Sequence, residues 1–240
     1  MQESSGAMDN VVVTGASRGL GLAIAEKLAA DGFHVIAVSR KAPASAEAGV
    51  TPVGFDLGLT AEIPEFVRGL RKRFGPLYGL VNNAGLGTEG LLANMPDADI
   101  EALIRLNTLS PILMSKYVVR GMMADGRGRV VNISSIVASS GFNALSVYSA
   151  TKASLVGFTR SLAREVGRLG VTVNAIAPGF IDTEMTRGLS EKDRDRIVAR
   201  SALRRLAAPE DVASMAAYLI GESGRNITGT VLTVDAGGTA

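Results

Sequence analysis

Two rhythms of apolar residues alternate along the chain. Short β-branched runs predict strands at 10–15 (NVVVTG) and 34–39 (HVIAVS), within 50–57 (VTPVGFDL), at 77–85 (LYGLVNNAG, with its exit loop), and at 128–135, 170–179 and 229–238. They are near-continuous apolar runs, the kind a parallel sheet buries on both faces. Helical spacing fills the intervals. Leu20, Ile24 and Leu28 recur every four positions over 19–31, with Gly32 as a stop. Further helices are predicted over 62–75, 97–123, 147–169 and 209–222, the last with Pro209 at its start. Pro111 predicts a kink or boundary inside 97–123. A helical, lid-like region is expected between about 180 and 205. Strand–helix alternation of this kind predicts an α/β fold, a seven-stranded parallel sheet with helices on both faces. No repeat or linker divides it, so 10–240 is read as a single domain. Residues 1–9 are polar and are expected to form a flexible tail or a cloning remnant, with Met8 as an alternative start.

Composition narrows the function classes. The chain has 240 residues, 47% of them hydrophobic and 20% charged, with a net charge of +2. The basic residues are scattered rather than gathered in a stripe, which argues against nucleic acid. No apolar run reaches the length of a membrane span, so no membrane partner is expected. The absence of cysteine removes disulfides, thiolate nucleophiles and cysteine-based metal sites, and fits a reducing, cytoplasmic compartment. His34, the single histidine, precedes an apolar run and is read as a satisfied structural residue rather than a metal ligand.

Two local patterns carry chemistry. The first strand runs into TGASRGLG (14–21), with glycines at 15, 19 and 21 and a helix opening at the last of them. Glycines there permit a tight turn and close backbone approach, and the helix N-terminus offers N–H groups to a pyrophosphate. This placement predicts a Rossmann-type dinucleotide site. The second pattern is Tyr148 four residues before Lys152 in VYSATKASLVG (147–157), which places both on one helical face. Tyrosine, with a reference pKa near 10, is a poor acid at neutrality. A cation beside it lowers a pKa by roughly 1–3 units, and Lys152 is expected to act as that tuner.

TGASRGLG, NNAG (82–85) and Tyr148-x-x-x-Lys152, in that order, resemble the short-chain dehydrogenase/reductase family over nearly the whole chain from about residue 10. The resemblance implies that Gly15, Ser17, Arg18, Gly19, Leu20 and Gly21 cradle a nicotinamide dinucleotide. It implies that Asp56 and Leu57 receive the adenine, and that Asn82, Asn83, Ala84 and Gly85 pass beneath the ribose. Pro178, Gly179 and Ile181 then lie beside the nicotinamide, and Thr183 contacts its carboxamide or the phosphates. An acid at the end of strand two selects NAD, whereas an arginine accommodates the NADP phosphate. Here the strand ends in Ser39 and Arg40, followed by Lys41, so NADP(H) is favoured over NAD(H). The family roles make Tyr148 the proton donor, Lys152 a partner of the ribose hydroxyls, and Ser135, thirteen residues before Tyr148, the group that bonds the carbonyl oxygen. Ser134 is the adjacent alternative. Asn107 resembles the asparagine that kinks its helix and holds a water in a relay from Lys152.

Within the family, SLAREV (161–166), PGFIDTEMT (178–186) and NITGTVLTVDAGG (226–238) look most like 3-oxoacyl-[acyl-carrier-protein] reductases. That likeness implies a small-molecule or carrier-bound carbonyl substrate, an acidic acyl carrier protein as partner, and a homotetramer. Residues 187–205 carry seven Lys or Arg against three acids, which suits an acidic partner and equally suits a solvated helix. Arg127, Arg129 and Arg168 are further candidates for holding a carrier. The Ala-rich 40–49 is too short for the helix usual there in the family. Two other readings stand beside the reductase: oxidation of a secondary alcohol such as a polyol, steroid or dihydrodiol, and a non-catalytic dinucleotide-binding regulator.

Overall fold

The computed structural model describes residues 8–41, 47–181 and 191–240. Seven parallel strands form one sheet: β1 (Asn10–Thr14), β2 (His34–Ser39), β3 (Val50–Gly54), β4 (Leu77–Asn82), β5 (Gly128–Ile133), β6 (Val171–Pro178) and β7 (Val231–Val234). Their spatial order is β3-β2-β1-β4-β5-β6-β7. The order reverses between β1 and β4, so the loops leaving those strands diverge and open a crevice at the C-terminal edge. The helices are α1 (Gly19–Ala30), α2 (Ile63–Phe74), α3 (Asp97–Ile104), α4 (Ser110–Asp125), α5 (Ser146–Val166), α6 (Glu191–Arg200) and α7 (Pro209–Ile220).

Alternation along β1 shows how the two faces are filled. Val11 and Val13 pack with Ile24, Ala25 and Leu28 of α1 and Val212, Ala216 and Ile220 of α7. Val12 points the other way, into a core with Val67 of α2, Met114 and Val118 of α4, and Ala163 of α5. A strand buried on both sides needs apolar residues at consecutive positions, which is why NVVVTG reads as an unbroken run. β3 is an edge strand and tolerates Pro52. The crossover from β2 to β3 spans only 40–49, of which 42–46 lie outside the described residues. Among the described residues, no helix is long and apolar enough to cross a membrane.

The expected helix over 97–123 is interrupted. α3 and α4 flank a π-helical turn, Arg105–Leu109, with Asn107 buried at its centre. Pro111 supplies a physical reason. It has no N–H for the carbonyl four residues back, that of Asn107, and its ring would press on that carbonyl in a continuous α-helix. Widening the turn relieves both problems. The Ser110 N–H instead reaches back five residues to the Arg105 carbonyl, and its hydroxyl donates to the Leu57 carbonyl at 2.6 Å. β7 is shorter than the expected 229–238, because the chain turns at Ala236 (φ 54°) and Gly237 (φ 78°). The Asp235 carboxylate caps that turn by accepting from the Gly237 and Thr239 N–H groups.

Candidate active site

The crevice is built first by the end of β1. Gly15 and Ala16 turn back on the Val38 carbonyl, their N–H groups donating at 2.8 and 3.2 Å. Gly15 has φ +68°, open to glycine without strain. A Cβ on Gly21 would stand 2.2 Å from the Gly15 oxygen and 2.4 Å from Asn83 Nδ2. The turn, the start of α1 and the loop after β4 are therefore in backbone contact. Thr14 knits this junction: its hydroxyl accepts from the N–H groups of Asn83 and Ala84, both at 3.0 Å, and donates to the Val81 carbonyl. Asn83 Nδ2 returns a bond to the Thr14 carbonyl at 2.9 Å. α1 begins without a side-chain cap and has no acid in its first turn. Its leading N–H groups and positive dipole end thus face the crevice uncompensated, as an anion site requires. Ser17, Arg18 and Gly19 are exposed there, and Leu20 is half-buried.

β2 ends beside this loop. Ser39 is buried and donates to the Lys41 carbonyl at 2.8 Å, while Arg40 is exposed. The strand end carries no carboxylate. Asp56 lies beyond β3, its Oδ1 accepting from the Gly58 N–H, and Leu57 is buried behind it. Asn82, by contrast, turns inward. It donates to Ser115 at 3.0 Å and to Asn132 at 2.8 Å, so only its backbone faces the crevice. Pro178 ends β6, the Gly179 N–H is held by the Val234 carbonyl at 2.9 Å, and Ile181 bridges to Ala207. Thr183 lies outside the described residues.

At the ends of β5 and α5, four side chains converge. The Ser135 hydroxyl neighbours the Tyr148 phenol and accepts from the Val137 N–H at 3.4 Å. The neighbouring Ser134 hydroxyl is committed elsewhere, donating to the Lys152 carbonyl at 2.8 Å. Lys152 is buried, its Nζ donating to the Ile133 carbonyl at 2.9 Å and lying 5.7 Å from the Tyr148 ring centroid. Asn107 clamps Leu86 from both sides, accepting from its N–H and donating to its carbonyl at 2.8 Å each, and it also reaches the Thr151 hydroxyl. Thr151 in turn donates to the Tyr148 carbonyl at 2.7 Å. Gly85 makes this packing feasible: a Cβ there would lie 3.2 Å from Asn107 Oδ1 and 3.5 Å from Lys152 Nζ. A hydroxyl pair, a buried amine and an open glycine turn therefore share one crevice. That is what transfer of a proton to a carbonyl oxygen beside a bound dinucleotide requires.

Comparison with known proteins places this crevice in a family. The sequence model described as enoyl-(acyl carrier protein) reductase matches residues 15–239. The 3-oxoacyl-[acyl-carrier-protein] reductase FabG of Escherichia coli is 41% identical over 232 residues, covering 94% of this chain and 95% of that protein. Its Vibrio cholerae counterpart is 39% identical over 237 residues, with coverage of 94% and 95%. The chain belongs to the short-chain dehydrogenase/reductase family. Among solved structures, ElxO with NADP bound superposes with a TM-score of 0.90 at 31% identity, covering 97% of this chain and 99% of that one. A putative gluconate dehydrogenase from Agrobacterium tumefaciens gives a TM-score of 0.92 at 27% identity, with coverage of 97% and 96%. The chain is an oxidoreductase acting on CH–OH or C=O groups.

Two sequence expectations need correction. The Tyr148 pKa is shifted up in the free protein rather than down. Burial pushes the phenol up from its ordinary value of 10, and the neighbouring Ser135 hydroxyl offsets this only in part. The lysine is itself desolvated and held down to about 8, with its ammonium directed at a backbone carbonyl. Second, Arg127, Arg129 and Arg168 lie at or just before the N-terminal ends of β5 and β6. Arg129 is about 20 Å along the strand direction from Ser135. Arg129 is buried, and both Arg127 and Arg129 stack on Tyr78. A carrier seated at this chain's own crevice does not meet them. Thr14 and Thr151 were missed as site residues, although both sit inside the quoted motifs. Nothing in a threonine's type signals which backbone it will join.

The lysine makes a testable contribution to stability. Its pKa falls from 10.5 to about 8 on folding, which at about 1.4 kcal/mol per pH unit costs roughly 3 kcal/mol. Both states are protonated below pH 8, so the cost is fully present there. Between about 8 and 10.5 the unfolded chain holds the extra proton, so stability rises with pH. Denaturant unfolding of the wild type and Lys152→Met across this window is expected to show the wild type gaining on the variant. A constant difference from pH 7 to 10 would mean that the amine is not desolvated as described.

Proposed function

We propose that this protein reduces a 3-oxoacyl thioester, delivered on a carrier, to the 3-hydroxy compound with NADPH. The observation that carries the reading is the neighbouring Ser135 and Tyr148 hydroxyls at the crevice, with the buried Lys152 Nζ 5.7 Å from the Tyr148 ring centroid. Two hydroxyls aimed together can hold a carbonyl oxygen and stabilise the charge that develops on it. Tyr148 then gives its proton to that oxygen. Burial raises its pKa, so the phenol is protonated at neutral pH, the form an acid needs. Lys152, linked through the Ile133 carbonyl to the end of β5, holds the floor of the site.

The residues present fit a nicotinamide dinucleotide, which when bound supplies the hydride. Gly15, Gly19 and Gly21 with the uncapped start of α1 suit its pyrophosphate. Arg40, with Arg18 on the facing loop and no acid at the end of β2, suits a 2′-phosphate. The NADP named in the ElxO structure supports the same choice. Arg40→Asp is expected to raise KM for NADPH by one to two orders of magnitude, about 1.4–3 kcal/mol for a lost charge-assisted bond, with KM for NADH unchanged or lowered. The names of the FabG relatives support a carrier-bound substrate. Lys192, Arg196 and Arg200 of α6 are exposed at the crevice end of the sheet and suit an acidic carrier.

Initial rates with acetoacetyl, crotonyl and 3-hydroxybutyryl thioesters, each with NADP(H) and NAD(H), test the reading. Fast NADPH consumption with the acetoacetyl compound is expected. A preference for crotonyl would make the enzyme an enoyl reductase, and a preference for the hydroxy compound an alcohol dehydrogenase.

A further inference from the structure

The last turn of the chain joins two places that lie far apart in sequence. It begins at the end of β7, where the Val234 carbonyl accepts from the Gly179 N–H at 2.9 Å. The carbonyls that follow point elsewhere. That of Ala236 accepts from the Ser201 hydroxyl at 2.6 Å and from the Leu203 N–H at 3.1 Å, and that of Gly237 accepts from the Ala202 N–H at 3.2 Å. Gly179 and Ser201 flank the segment 180–200, so one turn grips both of its ends. Contact is close on each side. A Cβ on Gly179 would stand 2.6 Å from the Asp235 Cβ, and one on Gly237 would stand 2.6 Å from the Ala202 Cβ.

Asp235 gives the turn its shape. Ala236 is left-handed at φ 54°, a conformation that a non-glycine residue keeps only where its surroundings enforce it. The Asp235 carboxylate reaches across it. Oδ1 accepts from the Gly237 N–H at 2.8 Å, and Oδ2 accepts from the Thr239 N–H at 2.9 Å and the Thr239 hydroxyl at 2.6 Å. Burial alone would raise this carboxyl's pKa. The bonds from the Thr239 hydroxyl and from the backbone of Gly237, Thr239 and Gly238 hold it below the ordinary carboxylate value, so it is charged at neutral pH. Asparagine would offer one acceptor where the carboxylate offers two.

The turn is linked to the reacting groups through one strand. Ile176 and Pro178 of β6 pair in register with Leu232 and Val234. On its other side β6 holds the end of β5: the Ile176 carbonyl accepts from the Ser134 N–H at 2.7 Å, and the Ser134 hydroxyl donates to the Lys152 carbonyl. We propose that Asp235 is a positioning residue for the reaction. Its carboxylate shapes a clasp that holds both ends of the segment 180–200 at the crevice and fixes the end of β6 for the dinucleotide and the carbonyl substrate. The kinetic part rests on the reductase reading, whereas the clasp itself does not.

The test compares the wild type with Asp235→Ala, Asp235→Asn and Thr239→Val in two arms. The first follows amide hydrogen exchange by mass spectrometry in peptides covering 176–181 and 199–205, and needs no turnover. The second measures kcat and KM for NADPH and acetoacetyl thioester. In Asp235→Ala, exchange is expected to quicken about tenfold or more at both ends together, with β1 and β4 unchanged. KM for both ligands should rise about tenfold while kcat stays within about threefold, the mark of lost positioning rather than lost chemistry. Asp235→Asn keeps one acceptor and should fall between. Thr239→Val loses one bond at an exposed residue and should show a smaller change of the same kind, which decides the matter if Asp235→Ala does not fold. Loosening of one end without the other, exchange that quickens equally in β1 and β4, or KM values unmoved while carbonyl turnover persists overturns the proposal. If the wild type turns over no carbonyl but both ends loosen together in the variants, the reductase reading fails and the clasp stands.

Discussion

Tyr148→Phe is expected to lower kcat about 10²–10⁴-fold while dinucleotide binding and folding persist. The substitution keeps the ring and removes the hydroxyl that neighbours Ser135. Tyr148 reaches the rest of the site through its backbone carbonyl, which accepts from Thr151, and that contact is unchanged by the loss of the phenol oxygen. The defect should therefore appear in kcat, with little change in KM for NADPH or in Tm. Ser135→Ala is expected to fall short of this, because Tyr148 would still supply a donor to the carbonyl oxygen. Steady-state kinetics with dinucleotide binding followed by fluorescence separate the two cases. Retention of more than a tenth of wild-type kcat in Tyr148→Phe would remove the phenol from the chemistry.

Gly21→Ala should act on the other half of the site. The new methyl would sit 2.2 Å from the Gly15 carbonyl oxygen and 2.4 Å from Asn83 Nδ2, and neither can yield freely. Asn83 is bonded to the Thr14 carbonyl, and Gly15 is tied to the Val38 carbonyl. The loop must open, at roughly 1–3 kcal/mol for overpacking. For a chain of this size that is a Tm loss of several degrees, roughly 2–4 °C per kcal/mol. Dinucleotide affinity is expected to fall by about 10²-fold or more, because the phosphate-facing backbone moves with the loop. Gly69→Ala in α2 is the matched control. Its added methyl meets nothing within 4 Å, so the change should stabilise the helix by about 0.5–1 kcal/mol. Thermal unfolding and NADPH titration of both variants check the contrast. Equal effects would mean that the crowding at Gly21 does not govern the loop.

Much of this architecture is legible in the order of residues because the governing forces are local and periodic. The Val-rich strands announce burial on two faces, and the order of the glycine loop, the NNAG loop and the Tyr–Lys pair places the crevice. Other features depend on distant partners. Pro111 signals a break, but that the break is a π turn presenting Asn107 to Leu86 depends on a loop twenty residues earlier. Asn82 and Asn83 look alike in sequence. One is spent inside, on Ser115 and Asn132, and the other holds the glycine turn, because adjacent residues at a strand end point in opposite directions. Spacing brings Lys152 near Tyr148, but the sign of the phenol's shift follows from burial, which spacing does not report. The Phe142–Phe180 contact joins two irregular loops and has no period to betray it.

In the proposed reaction the Ser135–Tyr148 pair delivers a proton to a carbonyl oxygen as hydride reaches the carbonyl carbon. The most direct test is a single turnover of acetoacetyl thioester with NADPH deuterated at the transferable position, followed by analysis of the product. Deuterium on the carbon that bears the new hydroxyl, with the transfer lost in Tyr148→Phe, is the predicted result. Deuterium in a saturated acyl chain, or transfer undiminished without the phenol, would contradict it.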